Sequence, residues 1–327
     1  MATHSRLAVL AGLLSLSALI AFAAGSDADK ADRLIQWEQR GAASGQALIF
    51  LPGLGFPGAS WAGVAAQFEK DHPIFLATYA GTGGVPPAPP PYLSRMVSEI
   101  RELIESRKLE RPILVGHLMG TQLALHVAGR HPNLVAGVFG MPVPIDRAPP
   151  DQREQRGREV TESFLRQPLE MWKPNLGTWS ANGCEDPAVG RTVYALVSEC
   201  DRETYAHMLG EYMADPIEDL LPKVTVPVSL VVPASVPPNA DITRIRPSEY
   251  AQQLTDQIRA MHAGLARCDV ISMRRARFYA PIEFPERVAF SLRRYLEKLA
   301  NKQATWSTTI GAQAPTSLPA SSGDDEP

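Results

Sequence analysis

The stretch RPILVGHLMG, Arg111 to Gly120, running on into TQLALHVAGRH to His131, decides how the chain is read. Ile113, Leu114 and Val115 form an uninterrupted apolar run, the pattern of a strand buried on both faces. Gly116 and Gly120 bracket a tight turn, and the residues that follow carry helical spacing. A strand that passes so abruptly into a helix leaves little room for side chains at the turn, which is what the two glycines accommodate. The residue at the apex is Leu118.

Outward from this unit the same alternation recurs. Ala47 to Leu51 (ALIFL) reads as a buried strand broken by Pro52-Gly53-Leu54-Gly55-Phe56, a helix is expected from Trp61 to Glu69, and Ile74 to Tyr79 is the next strand. Gly81-Thr82-Gly83-Gly84 and a proline tract to Pro91 exclude regular structure, after which Met96, Ile100, Leu103 and Ile104 set a helix over Leu93 to Leu109. Downstream, Val135 to Gly140, Val226 to Val232 and Asp269 to Met273 read as strands, with helices over Pro247 to Leu265 and Pro285 to Leu299. Such alternation builds a mostly parallel, doubly wound α/β sheet flanked by helices. The charged segment 146–221 interrupts it and reads as a helical cap over the carboxyl edge of the sheet, where open α/β sheets bind ligands. The core is therefore expected in 31–145 and 222–300, and 301–327, rich in Ala, Ser, Thr, Pro and acid, as a disordered tail.

The 327 residues, 45% hydrophobic and 20% charged, suffice for a full core, and a net charge of −3 without any Lys/Arg-dense run argues against nucleic acid as a partner. At the N-terminus, Arg6 precedes the apolar run LAVLAGLLSLSALIAFAA, in which Ala21-Phe22-Ala23 offers a cleavage site. A signal peptide over 1–23 is expected, with export to the periplasm or the medium and no stable membrane anchor after cleavage; an uncleaved anchor is the alternative. In an oxidising compartment Cys184 and Cys200 are candidates for a short-loop disulfide, leaving Cys268 in the apolar context of a strand. No Cys/His spacing matches a metal site, and no cofactor is expected.

These elements and motifs together resemble the α/β-hydrolase superfamily, in particular its exported bacterial members. The resemblance rests on LPGLGFPGASW (Leu51 to Trp61), LATYAGTGGVPP (Leu76 to Pro87), RPILVGHLMG, DLLPKVTVPVSLVV (Asp219 to Val232) and RARFYAPIEFPERV (Arg275 to Val288), and covers Leu34 to Leu299. It implies the α/β-hydrolase fold with a helical cap, and a nucleophile elbow, G-x-S-x-G, at Gly116 to Gly120 with His117 as a common architectural neighbour. The elbow serine matches Leu118, which has neither a lone pair to attack a carbonyl nor a proton to give up. The base, a histidine in the loop after the last strand, matches Phe278; of His4, His72, His117, His126, His131, His207 and His262, none follows that strand. In the loop PASVPPNAD after Val226 to Val232 only Asp241 is a candidate acid, and it has no imidazole to orient. The oxyanion-hole donors match the backbone N–H groups of Leu54 and Met119, which persist whatever the side chains.

Loss of the nucleophile or base of a serine hydrolase lowers the rate on the order of 10⁶-fold, about 8 kcal/mol. The expectation is therefore a hydrolase-fold protein without serine-hydrolase chemistry that binds a small apolar or ester-like ligand or a protein partner. Leu118 and Phe278 would fill the former site with apolar volume, and Trp172, Trp179, Tyr205 and Met208 of the cap are candidate pocket residues. The alternatives are an active hydrolase on ester or acyl substrates that uses other groups of the same cleft, and an interaction module using the cap and the proline-rich loop Val85 to Pro91. Among substitute groups, Thr121 is expected to satisfy local backbone, and Cys200 and His207 lie two helical turns apart, about 10 Å, too far for proton transfer.

Overall fold

The computed structural model describes residues 33–143, 148–236 and 246–308. The expected signal segment, Asp241 and the chain beyond Thr308 lie outside these residues. The described strands are β1 (Ile35–Gly41), β2 (Leu48–Leu51), β3 (Pro73–Tyr79), β4 (Ile113–His117), β5 (Gly137–Met141), β6 (Val228–Pro233) and β7 (Cys268–Met273). They form one sheet in the order β1-β3-β2-β4-β5-β6-β7. All neighbours are parallel except β1, which runs antiparallel to β3 with Ile35 opposite Tyr79 and Gly41 opposite Pro73.

The sequence pattern missed β1. Its residues IQWEQRG are half exposed and mostly polar, so the apolar run that marks a doubly buried strand is absent. Tertiary contacts hold it instead: the buried carboxylate of Glu99 accepts the N–H groups of Leu34 at 2.8 Å and Ile35 at 2.9 Å. Glu99 lies on α1 (Leu93–Ser106), whose apolar side packs into the core with α2 (Met119–Arg130). The opposite face of the sheet is covered by the C-terminal helix α8 (Pro285–Ala300) and the one-turn helix Ala62–Ala65. The helix expected from Trp61 to Glu69 is thus shorter: residues 66–71 continue as turns closed by bonds such as Gln67 to Val64 and Phe68 to Ala65, because β3 must begin at Pro73.

Between β5 and β6 stand four longer helices, α3 (Arg153–Arg166), α4 (Leu169–Asn182), α5 (Pro187–Val197) and α6 (Arg202–Ala214). α7 (Pro247–Met261) then connects β6 to β7. Among the described residues no helix is long and apolar enough to cross a membrane. The first residues of the expected tail differ from what composition suggests. Trp306 packs against Tyr295 with ring centroids 5.8 Å apart, and Ser307 accepts the Cys268 N–H at 2.8 Å, so 301–308 is held to the core by one aromatic anchor in a polar segment. Strand order reverses between β2 and β4, and the crevice at such a switch point is the general ligand position of open α/β sheets. The loops after these two strands carry Gly53-Leu54 and Leu118.

Candidate functional site

Leu118 stands between β4 and α2 with φ 50° and ψ −117°, a conformation that costs a residue with a Cβ about 1–3 kcal/mol. The strain persists because the surroundings over-determine it. A Cβ on Gly116 would lie 2.5 Å from Gly120 O and Thr121 N, and one on Gly120 would lie 2.0 Å from Leu51 O. β4 and α2 therefore approach each other and β2 at backbone contact distance, and the chain can turn between them only through this apex. Thr121 braces the turn as expected: its hydroxyl donates to Gly116 O at 3.0 Å and accepts the Met141 N–H at 3.1 Å.

The Leu118 side chain leans on the first loop, with Cδ1 3.1 Å from where a Cβ of Gly53 would be. Beside it, among the described residues, the N–H groups of Leu54 and Met119 donate to no acceptor, as the orphan donors of a loop and a helix N-terminus do. The cavity bordering Leu118, Thr121, Pro142, Tyr212 and His262 measures only about 20 Å³. That is room for about one water, against the 300 Å³ or more of usual ligand pockets.

His117 is 2% exposed, and its Nε2–H donates to the Phe278 carbonyl at 2.6 Å, leaving Nδ1 bare. Burial pushes the imidazole down to about 4, against the smaller upward pull of that carbonyl. A neutral histidine thus stitches the apex to the loop after β7. The structure brings Phe278 to the site by its backbone carbonyl: the residue is 46% exposed and does not seal the cleft, contrary to the expectation that it fills the former site. A backbone carbonyl is all that His117 requires of the position, so the side chain is free to face solvent.

The cap rests directly on these loops. Tyr205 lies against Gly55, a Cβ of which would be 3.0 Å from the Tyr205 ring, and Tyr279 packs on Phe56 at 5.2 Å. Arg277, which the sequence pattern did not single out, donates to Cys184 O at 2.5 Å and pairs with Glu185 at 3.5 Å, tying the loop after β7 to the cap. Of the four candidate pocket residues, Trp172 and Tyr205 pack on each other at 5.2 Å and both meet Phe164, Met208 is buried in the main core, and Trp179 is 39% exposed. They serve as packing and surface, the aromatic residues of the cap being buried on one another rather than lining a cavity.

The expected disulfide is also absent. Cys184 and Cys200 are free, since they sit at opposite ends of α5, whose 11 residues span about 16 Å, and a disulfide needs Cα atoms within about 7 Å. Burial pushes these thiols, and that of Cys268, up to about 12. None should react with Ellman's reagent in the native protein near neutral pH, and all three should react after unfolding without reductant; a smaller count after unfolding would reveal a bridge.

One polar cluster escaped the sequence. Gln122 and His126, one turn apart on α2, both bond the Asp215 carboxylate just after α6, His126 Nε2 at 2.6 Å. His126 lies about two turns along the helix from the apex, roughly 12 Å, too far to serve chemistry at Leu118. It pins the return of the cap to the core. The i, i+4 spacing of two polar residues on a buried helix was its signal.

A model of the Alpha/beta hydrolase family matches residues 48–289. A relative from Pseudomonas savastanoi pv. phaseolicola, named for carbamate hydrolysis, is 32% identical over 90 residues, 27% of this chain and 35% of its own, so the match spans about a third of that relative's length. Among solved structures, a thermophilic esterase from Thermogutta terrifontis superposes with a TM-score of 0.64 at 18% identity, covering 81% of this chain and 93% of its own. An enol-lactonase from Burkholderia xenovorans LB400 gives 0.55 at 18% identity, covering 80% and 96%.

Proposed function

The chain belongs to the alpha/beta hydrolase family, and we propose that it is a member without serine-hydrolase chemistry that acts by binding a protein partner. One observation carries the reading: the strained apex that presents a nucleophile in this fold is present, with its φ of 50°, and holds Leu118. Among the described residues the neighbouring groups supply no substitute. Thr121 is committed to backbone at both its donor and acceptor, the buried thiols stay protonated, and His117 spends its only N–H on a carbonyl. A cavity of about 20 Å³ favours surface recognition over a small apolar ligand in the cleft. We further propose export through the apolar N-terminal segment, which N-terminal sequencing of protein recovered from the periplasm or medium tests.

The native protein is expected to take up no fluorophosphonate probe and to turn over short activated esters no faster than heat-unfolded chain. Stoichiometric labelling of the native chain would overturn the proposal.

A further inference from the structure

Among the described residues the sheet ends at β7 in an edge that no further strand pairs. Backbone bonds from Val228 N–H to Arg267 O and from Ala234 N–H to Met273 O show that the odd-numbered residues of this segment face β6. The even-numbered ones therefore face outward, because successive residues of a strand direct their N–H and C=O groups to opposite sides. Ser307 covers the first, Cys268. Among the described residues nothing pairs with the outward groups of Val270 and Ser272. Such an edge is a template for another strand unless it is guarded.

Exposed arginines, Arg267 and Arg274, stand at the two ends of β7, but the middle of its outer edge carries no charge and apolar side chains stand beside it. Ile271, on the α8 side of β7, is 46% exposed, and Phe290 of α8 is 65% exposed. Both line a groove of about 480 Å³ between β7 and α8. On α8 the exposed residues Glu286, Phe290 and Arg294 follow at i, i+4 and i+8, so they form one stripe with an acid at one end, a base at the other and an aromatic ring between. Among the described residues Arg294 pairs with Glu297 of its own helix, at 3.8 Å, with the Arg294 side chain 71% exposed.

We propose that this edge binds a second copy of the same chain about a two-fold axis. With Ile271 opposite Ile271 of the partner, Val270 and Ser272 of each copy exchange N–H···O bonds in an antiparallel pair, and the two sheets join into one. The same axis sets the two α8 stripes antiparallel, with the Phe290 rings together and each Glu286 facing an Arg294 of the other copy. The stripe is thus complementary in charge to itself only when inverted, which is the requirement of an isologous interface. A purely acidic or purely basic partner would meet one matching and one repelling end. This inference is independent of the absence of hydrolase chemistry.

Sedimentation velocity on the purified protein across the micromolar range is the test. A dimer is expected, reduced to monomer by Ile271→Asp without loss of thermal stability. Glu286→Arg and Arg294→Glu should each weaken it about tenfold or more, and the two together should restore it, a result that a merely misfolded variant would not give. A wild-type monomer throughout, a dimer unaffected by Ile271→Asp, or no rescue by the double reversal would each overturn the proposal.

Discussion

Gly120→Ala is expected to destabilise the protein by about 4 kcal/mol or more, enough to remove most or all folded protein from a fold of ordinary stability. The added Cβ would lie 2.0 Å from Leu51 O, 2.6 Å from Leu51 C and 2.7 Å from Pro52 O. These atoms belong to the backbone of β2 and its loop, so no rotamer change relieves the contact and the strand itself must shift. A shift there breaks the pairing of β2 with β3 and β4 in the middle of the sheet. Gly177→Ala is the control: on α4 its Cβ would meet nothing nearer than the Tyr194 ring at 3.8 Å, and it should stabilise by about 0.5–1 kcal/mol. Urea denaturation of the two variants measures the contrast. Equal, small effects would show that the backbones of β2 and α2 do not touch at this point.

Acidification should weaken the fold before the carboxylates titrate, through His117. Its folded-state value of about 4 lies below the ordinary 6.5, so the unfolded chain binds the proton more readily than the native one. The stability it contributes is complete above pH 6.5, declines as pH falls through the interval between the two values, and is lost below about 4. For a group 2% exposed a shift of this size corresponds to about 3 kcal/mol. Glu99 works in the opposite sense, since burial raises its carboxyl and favours the protonated native state at low pH. Comparison with His117→Gln, whose amide can still donate to the Phe278 carbonyl but does not titrate, isolates the histidine. The variant should show a flatter dependence between pH 6.5 and 4.5 in denaturant midpoints; identical slopes would sink the assignment.

Much of the fold was legible because its central strands are buried on both faces. ALIFL, IFLATY, RPILVG and VPVSLVV are continuous apolar runs with punctuation at their ends, and each contains or overlaps an observed strand. β1 escaped because an edge strand held by Glu99 needs no apolar run of its own. Trp306 escaped because one aromatic residue anchors a segment whose composition is otherwise that of a tail. In the site, the glycines of the apex announced a backbone geometry that the structure displays in full. The placement of side chains was not legible: Phe278 is exposed, Tyr205 turns onto Gly55, and α5 holds Cys184 and Cys200 apart.

By itself the sequence determined the family architecture and the chemical poverty of the apex. Those follow from local pattern and from what a leucine and a phenylalanine are unable to do with a proton. Only the tertiary structure decided that His117 is a buried neutral stitch to the loop after β7, that the cavity beside Leu118 measures about 20 Å³, and that among the described residues β7 and α8 leave an apolar edge uncovered. Each of these depends on which residues distant in sequence are brought within a few ångströms, and periodicity along a chain carries no information about that.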